Sequence, residues 1–154
     1  MSRVHTYATR LEWSGSTAVG YDGYERGHSV RAAPAEAELE LSSDPTFLGD
    51  PARLNPEQLL VAAASSCQLL SFLAGAARAR IDVLQYSDDA EGTMDESDRP
   101  AWVQRIVLRP RIAVGPGTDE NRVRRLVQLG HDHCFIANSL RSEITIEAEI
   151  EVRS

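Results

Sequence analysis

The chain has 154 residues, of which 42% are apolar and 25% charged, a composition that predicts a single globular domain over residues 1–154. All 16 of its basic residues are Arg, and its formal net charge is −7. That balance argues against a sequence-independent nucleic-acid binder, because the affinity of such a protein comes from a net basic surface. No N-terminal stretch combines a basic start with an apolar core, so we expect a cytoplasmic protein.

The N-terminal third of the chain is predicted to form β-structure. We expect strands around 7–13, over 29–33 and over 35–41, with a turn at 21–23. In the third of these segments Ala and Leu alternate with Glu, which is the period of a half-buried strand. The Ser, Asp, Gly and Pro residues of 42–54 predict a loop.

A long helix is predicted next, from Asn55 to about Arg80. Asn55 is suited to cap it, Pro56 to occupy its first turn, and Glu57 to interact with the positive end of its dipole. Within it, Leu59–Ala77 carries no charged residue, and this length approaches the roughly 20 apolar residues of a membrane span. Its Ser residues and its many Ala residues favour instead a helix buried in a globular core.

The predicted helix is apolar on nearly all sides, and one small sheet covers only one of them. A second copy of the chain is the simplest cover for the remaining sides, so we expect a homodimer. Neither a membrane nor a nucleic acid is expected as a partner.

The C-terminal half is predicted to hold two strand segments, a second helix and a last strand. The first strand segment covers 81–92 with a bend at Asp88–Asp89, and the second covers 102–114. The helix is expected over 118–134, and the last strand over 144–152, where Ile and Ala alternate with Thr and Glu. This order of strands and helices predicts an α+β fold with antiparallel sheets.

The two cysteines, Cys67 and Cys134, are the residues most suited to chemistry. From the residues alone three interpretations stay open: two small buried apolar side chains, a structural disulfide, or a redox pair. Cys67 lies in the middle of the predicted helix, beyond the reach of the helix dipole. A reactive thiolate there needs a nearby cation, which must be Arg or His because the chain has no Lys.

His131 and His133 precede Cys134 and form the cluster that suggests a metal. Side chains two residues apart on a helix point about 200° apart, so the two histidines cannot share an ion on a continuous helix. We therefore predict no metal site. The histidines are better suited to the last turn of the helix, where positive charge interacts favourably with the dipole.

The segments around both cysteines resemble those of a known family. The residues that carry the likeness are Asn55–Leu60, Ala62–Ala64 and Cys67 for a first motif, His131–Ser139 for a second, and Gly49–Asp50 and Tyr86–Gly92 elsewhere. The first motif is similar to the NPE(Q/D)LL…A…C signature of the OsmC/Ohr family, the osmotically inducible and organic hydroperoxide resistance proteins. The second is similar to the family's A-H-x-x-C-x-x-S/A-N segment. The resemblance covers the chain from about residue 4 to residue 152 and points to the OsmC-like branch.

The resemblance implies a thiol peroxidase with the family's fold, an intertwined homodimer in which antiparallel sheets are wrapped around long central helices. It implies that Cys67 is the peroxidatic cysteine and Cys134 the resolving cysteine. The family's catalytic arginine is best matched by Arg26, with Arg31 and Arg10 as alternatives.

The implied reaction reduces organic hydroperoxides, with hydrogen peroxide as a further substrate, and uses an external dithiol but no metal or bound cofactor. Arg26 is implied to favour the Cys67 thiolate, and Glu57 to orient Arg26, at a site on the dimer interface. The alternatives from other classes are a non-catalytic dimer that binds a small apolar ligand and a structural dimer on the same fold. Closely placed sulfurs and a paired Arg beside Cys67 distinguish the enzyme from both.

Overall fold

The computed structural model describes residues 2–154, which form nine β-strands and two α-helices. In chain order they are β1 (Arg10–Glu12), β2 (His28–Arg31), β3 (Glu38–Leu41), α1 (Pro56–Arg78), β4 (Val83–Asp88), β5 (Glu91–Met94), β6 (Val103–Leu108), β7 (Pro110–Val114), α2 (Glu120–Asp132), β8 (Glu143–Ile146) and β9 (Glu149–Val152). Short 3₁₀ helices lie at Thr17–Val19, Pro45–Phe47 and Ala137–Ser139. The chain divides into two compact units, residues 1–59 and residues 60–154.

The first unit contains a small antiparallel sheet in the order β1-β2-β3. Leu11, Val30 and Leu39 lie opposite one another across the three strands and form an apolar row on one face. Each strand lies where the sequence pattern predicts it, but β3 holds only the second half of the predicted segment 35–41. A reverse turn after β2, closed by a hydrogen bond from the N–H of Ala35 to the carbonyl of Ala32, precedes β3 and contains the start of the predicted segment.

Helix α1 begins with a reciprocal pair of hydrogen bonds between Asn55 and Gln58. The Asn55 side chain accepts the backbone N–H of Gln58 at 2.8 Å, and the Gln58 side chain accepts the backbone N–H of Asn55 at 3.0 Å. This capping box satisfies two of the amides that lack partners within the first turn of a helix. The predicted helix is confirmed, and it ends at Arg78.

Only one side of α1 is buried by its own chain. Its buried residues, Ala64, Gln68, Phe72 and Ala76, recur every four positions and form a single stripe. On the other side Leu70 is 63% exposed. A helix of this apolar character therefore keeps a face that its own chain does not cover.

Each of the three strand segments predicted in the second unit is divided in two by a break. β4 ends at Asp88, where the bend is predicted, β6 ends before Arg109, and β8 ends before Glu147. The Arg109 N–H donates to the Asp88 carboxylate at 2.6 Å, and the next residue, Pro110, has no N–H to offer a neighbouring strand. As a result β4, β7 and β9 form one sheet, and β5, β6 and β8 form another.

Both of these sheets are mixed, whereas the sequence analysis predicts antiparallel ones. β4–β7 and β5–β6 pair antiparallel, but β6–β8 and β7–β9 pair parallel. The chain leaves β7, returns through α2 and enters β8 and β9, and a strand–helix–strand connection of this kind brings neighbouring strands together in the same direction. The expectation of antiparallel sheets is wrong for these two pairs because it leaves the crossover through α2 out of account.

Candidate functional site

The two cysteines come from the two helical segments of the second unit. Cys67 lies in the middle of α1, and its side chain is half-buried. Cys134 follows the end of α2 at Asp132 and is 1% exposed. Both are free thiols.

Backbone hydrogen bonds shape the segment around Cys134. The N–H of Cys134 donates to the carbonyl of His131 at 3.1 Å, and the carbonyl of Cys134 accepts the backbone N–H of Asn138 at 3.0 Å. The side-chain amide of Asn138 donates to the same carbonyl at 3.1 Å. The N–H of Ala137 donates to the Cys134 sulfur at 3.3 Å. This tight turn directs the sulfur inward and places a backbone donor on it.

The thiols of Cys134 and Cys67 lie close enough to interact, because the Cys67 side chain affects the pKa of the Cys134 thiol. Burial raises the pKa of that thiol, and the Cys67 side chain raises it further, while the N–H groups of Ala137 and Ile136 act in the opposite direction. A raised pKa favours the protonated form of a thiol. Cys134 therefore keeps its proton beside Cys67.

Gln68, which the sequence analysis does not assign to the site, ties the two helices together beside the cysteines. It is 1% exposed, and its side-chain amide donates to the carbonyl of Val127 in α2 at 2.9 Å. A buried amide needs a hydrogen-bond partner, so this bond holds α1 against α2 in one arrangement. The signal in the sequence is the single amide side chain within the uncharged segment 59–77.

In the first unit, Arg26 is held by two tyrosines. Its guanidinium donates to the carbonyl of Tyr24 at 2.7 Å and to the carbonyl of Tyr21 at 2.6 Å. The same group lies 4.0 Å from the ring centroid of Tyr24 and 4.9 Å from that of Tyr21, within the range of cation–π interactions. Among residues 2–154 no carboxylate forms an ion pair with Arg26.

The two alternative arginines are both engaged by one acid. Arg10 and Arg31 each lie within ion-pair distance of Glu12, with N···O separations of 2.8 Å and 2.9 Å. Of the three candidate arginines, Arg26 is thus the one whose charge has no acidic partner in the described part of the chain.

Glu57 lies half-buried in the first turn of α1. It forms no ion pair with Arg26 within the described range, although both belong to the first unit. Within the second unit the structure brings Cys67 and Cys134 near each other. Within the first unit it shows no ion pair between Arg26 and Glu57, so their pairing stays a prediction.

Arg26 lines a cavity of about 380 Å³ in the first unit. The cavity is lined by Trp13, Thr17, Tyr24, Arg26, His28, Ser42, Ser43 and Pro56. The rings of Trp13, Tyr24 and Pro56 with the guanidinium of Arg26 beside them suit a small ligand with an apolar body and a polar or anionic end.

The histidines before Cys134 belong to the end of α2. His131 lies in the last turn, as expected, and the Nδ1 of His133 lies 2.8 Å from the carbonyl oxygen of Leu129. Over residues 2–154 no group of three or more His, Cys, Asp or Glu side chains is placed to hold a metal ion.

Comparisons with known proteins connect this arrangement to one family. The model of a family described as OsmC-like protein matches residues 49–149, which is most of the chain. Among solved structures, an OsmC-like protein of unknown function from Vibrio cholerae is 27% identical, with a TM-score of 0.86 over 95% of this chain and 100% of that chain. No curated protein matches the chain.

Two organic hydroperoxide resistance proteins of known structure have the same fold. One is the organic hydroperoxide resistance protein OsmC of Legionella pneumophila, at 17% identity and a TM-score of 0.68 over 97% of this chain and 99% of that one. The other is the organic hydroperoxide resistance protein OhrB of Bacillus subtilis, at 17% identity and a TM-score of 0.62 over 96% and 98%. Helix α1, although long and apolar enough to cross a membrane, matches a core helix of this fold.

Proposed function

The chain belongs to the OsmC-like protein family, as the resemblance predicts, and we propose that it is a thiol-dependent peroxidase that reduces organic hydroperoxides. In this proposal Cys67 is the peroxidatic cysteine and Cys134 is the resolving cysteine. The observation that carries the proposal is that the buried Cys134 thiol lies close enough to Cys67 to interact with it. Two cysteines that lie near each other form a disulfide with little movement of the backbone.

The first step takes place at Cys67. Its thiolate attacks the distal oxygen of the hydroperoxide, the O–O bond breaks, and the alkoxide takes up a proton and leaves as an alcohol. Cys67 becomes a sulfenic acid. Its half-buried position leaves room for a substrate to approach. Hydrogen peroxide follows the same step with water as the leaving group.

The second step uses the proton that Cys134 keeps. The Cys134 sulfur attacks the Cys67 sulfur, the S–O bond breaks, and the thiol proton leaves with the hydroxide as water. The product is a Cys67–Cys134 disulfide, which an external dithiol reduces by supplying two electrons and two protons.

Arg26 is proposed to supply the positive charge that a reactive Cys67 needs. Its free charge and its place on the wall of an apolar cavity support this role. In a homodimer Arg26 of one chain serves the cysteine of the other, and Glu57 orients it through a charge-assisted hydrogen bond. The uncovered face of α1 around Leu70 supports such a dimer, since an apolar helix face is unfavourable in water.

A single-turnover experiment with tert-butyl hydroperoxide tests the two cysteine roles. Cys67→Ser should consume no peroxide. Cys134→Ser should consume one equivalent per chain and then stop, with a sulfenic acid at Cys67 that dimedone labels. Peroxide consumption by Cys67→Ser contradicts the proposal, and binding without turnover in the unmodified chain supports the ligand-binding alternative.

A second experiment tests the arginine. Arg26→Ala should slow peroxide consumption and the alkylation of Cys67 by iodoacetamide at neutral pH. Arg26→Lys should restore part of the rate, because an ammonium lacks the two parallel donors of a guanidinium. Arg31→Ala is the matched control, since Arg31 is already paired with Glu12. Equal rates for Arg26→Ala and the unmodified chain contradict the assignment of Arg26.

A further inference from the structure

The two sulfurs of the proposed disulfide differ in their access to a reductant. Cys134 is 1% exposed, although His133 and Phe135 on either side of it are exposed, because its turn directs the sulfur inward. Cys67 is half-buried. A partner subunit only adds cover, so no assembly that keeps this fold makes Cys134 accessible.

The Cys134 sulfur also has backbone donors directed at it. The N–H of Ala137 donates to it at 3.3 Å. The N–H of Ile136 also favours the thiolate, although burial and the Cys67 side chain raise the pKa of Cys134 overall. Successive backbone N–H groups in a turn form a concave nest that stabilises an anion. A thiolate that forms at Cys134 therefore meets the Ala137 donor already in place, which offsets part of the cost of its burial.

We propose that the external dithiol attacks the sulfur of Cys67, and that Cys134 leaves as a thiolate that accepts the N–H of Ala137. This inference rests on the proposed function, which forms the disulfide in each turnover. Thiol–disulfide exchange depends on access to the attacked sulfur. Cys67 is half-buried, whereas Cys134 is 1% exposed.

One thiolate of the dithiol bonds to the Cys67 sulfur, and the electron pair of the Cys67–Cys134 bond passes to Cys134. The second thiol of the same dithiol then attacks its own bound sulfur, releases Cys67 as a thiolate and closes the disulfide of the reductant. The dithiol loses two electrons and two protons, and the two cysteines gain them.

The test forms the disulfide with diamide instead of a peroxide, so that it does not depend on peroxidase activity. Oxidised protein is mixed with glutathione, a monothiol that stops at the mixed disulfide, and is quenched with acid. The free cysteine is then blocked with N-ethylmaleimide in denaturant. Trypsin separates the two cysteines, because Arg78 and Arg125 lie between them. We expect glutathione on Cys67 and maleimide on Cys134 by mass spectrometry.

Glutathione on Cys134, or in equal amounts on both residues, overturns the inference. The reverse reaction decides the matter if the adduct is too short-lived. Glutathione disulfide should modify folded Cys134→Ser, in which Cys67 remains, and leave folded Cys67→Ser unmodified. Faster modification of Cys134 than of Cys67 overturns the inference as well.

Two variants of Ala137 test the backbone donor. Ala137→Pro removes the N–H that bonds the sulfur, whereas Ala137→Gly keeps it. Glutathione should open the disulfide about tenfold more slowly in Ala137→Pro, the effect of losing roughly one charge-assisted hydrogen bond. Ala137→Gly should keep the rate of the unmodified chain. Equal rates in the two folded variants overturn the role of the donors, and the adduct map decides the attacked sulfur even where Ala137→Pro does not fold.

The outcomes for the two proposals are distinct. A chain that is inert to hydroperoxides yet carries glutathione on Cys67 contradicts the proposed function and agrees with this assignment of the attacked sulfur. Failure of diamide to join Cys67 and Cys134 contradicts both.

Discussion

Gly130 of α2 lies directly against the backbone of Phe72 in α1, so that a Cβ atom at position 130 would lie 3.0 Å from the Phe72 nitrogen and 3.2 Å from its Cα. The two helices approach each other this closely because Gly130 has no side chain. The same end of α2 leads into the turn that holds Cys134. The spacing of the helices therefore sets the position of Cys134 relative to Cys67.

Substitution of Gly130 by Ala is predicted to push α2 away from α1. Gly75→Ala is the matched control, because the nearest atom to its added Cβ, in Leu126, lies 3.6 Å away in ordinary contact. Both variants replace a helical Gly by Ala and gain about the same helix propensity, roughly 1 kcal/mol. Urea denaturation should show Gly130→Ala to be less stable than Gly75→Ala by about 2 kcal/mol, the cost of overpacking. Diamide should also form the disulfide more slowly in Gly130→Ala. Equal stability of the two variants contradicts this account.

The Asp88 carboxylate is predicted to stabilise the break between the two sheets. It accepts the hydroxyl of Ser65 in α1 and the backbone N–H of Arg109. Asp88→Asn keeps one acceptor oxygen for these two donors, so one partly buried donor loses its partner, at a cost of about 1–3 kcal/mol. The neighbouring Asp89 forms only an exposed ion pair with Arg111. Asp89→Asn should change the free energy of unfolding by less than about 1 kcal/mol. Comparable losses in the two variants would argue against a special role for Asp88.

Tyr86 is predicted to make the fold sensitive to alkaline pH. Burial raises the pKa of its phenol, and the negative charge of Asp88 raises it further. Below about pH 10, the ordinary pKa of tyrosine, this shift does not change the free energy of unfolding. Above it, that free energy falls as the pH rises toward the higher pKa of the folded state, because only the unfolded chain then loses the phenol proton readily. In the described part of the chain the buried hydroxyl has no hydrogen-bond partner. Tyr86→Phe should therefore be as stable as the unmodified chain at neutral pH, or more stable by about 1 kcal/mol. Above about pH 10 the free energy of unfolding should fall less steeply in this variant. A large loss of stability at neutral pH would show that the hydroxyl is bonded after all.

The uncovered face of α1 is predicted to be a dimer contact. Leu70 on that face is 63% exposed, and Leu73 is 36% exposed. Sedimentation of the unmodified chain at micromolar concentration should give a dimer, and Leu70→Glu should shift it to the monomer, because a carboxylate would be buried without a partner. Leu84, 48% exposed on β4, provides a control at a similarly exposed leucine outside α1. Leu84→Glu should remain dimeric. A folded monomer of the unmodified chain would contradict the proposed dimer.

The sequence by itself determined the elements whose signal is local. The start signals Asn55, Pro56 and Glu57 and the uncharged segment 59–77 mark α1, and the alternation of 144–152 marks the last strands. These signals are readable because helix and strand periods involve residues only a few positions apart. The motifs around Cys67 and Cys134 also sufficed to identify the family.

Only the tertiary structure decided how these elements combine. The break that divides 102–114 depends on the Asp88 carboxylate meeting the Arg109 amide, and the parallel pairing of β6 with β8 depends on the path of α2. The contact of Cys134 with Cys67 depends on the close packing of α1 and α2 at Gly130. None of these relationships leaves a periodic trace in the sequence, because each joins residues far apart in the chain, and the fold selects such contacts only when their combined burial and hydrogen bonding outweigh the entropy lost in closing the intervening loops.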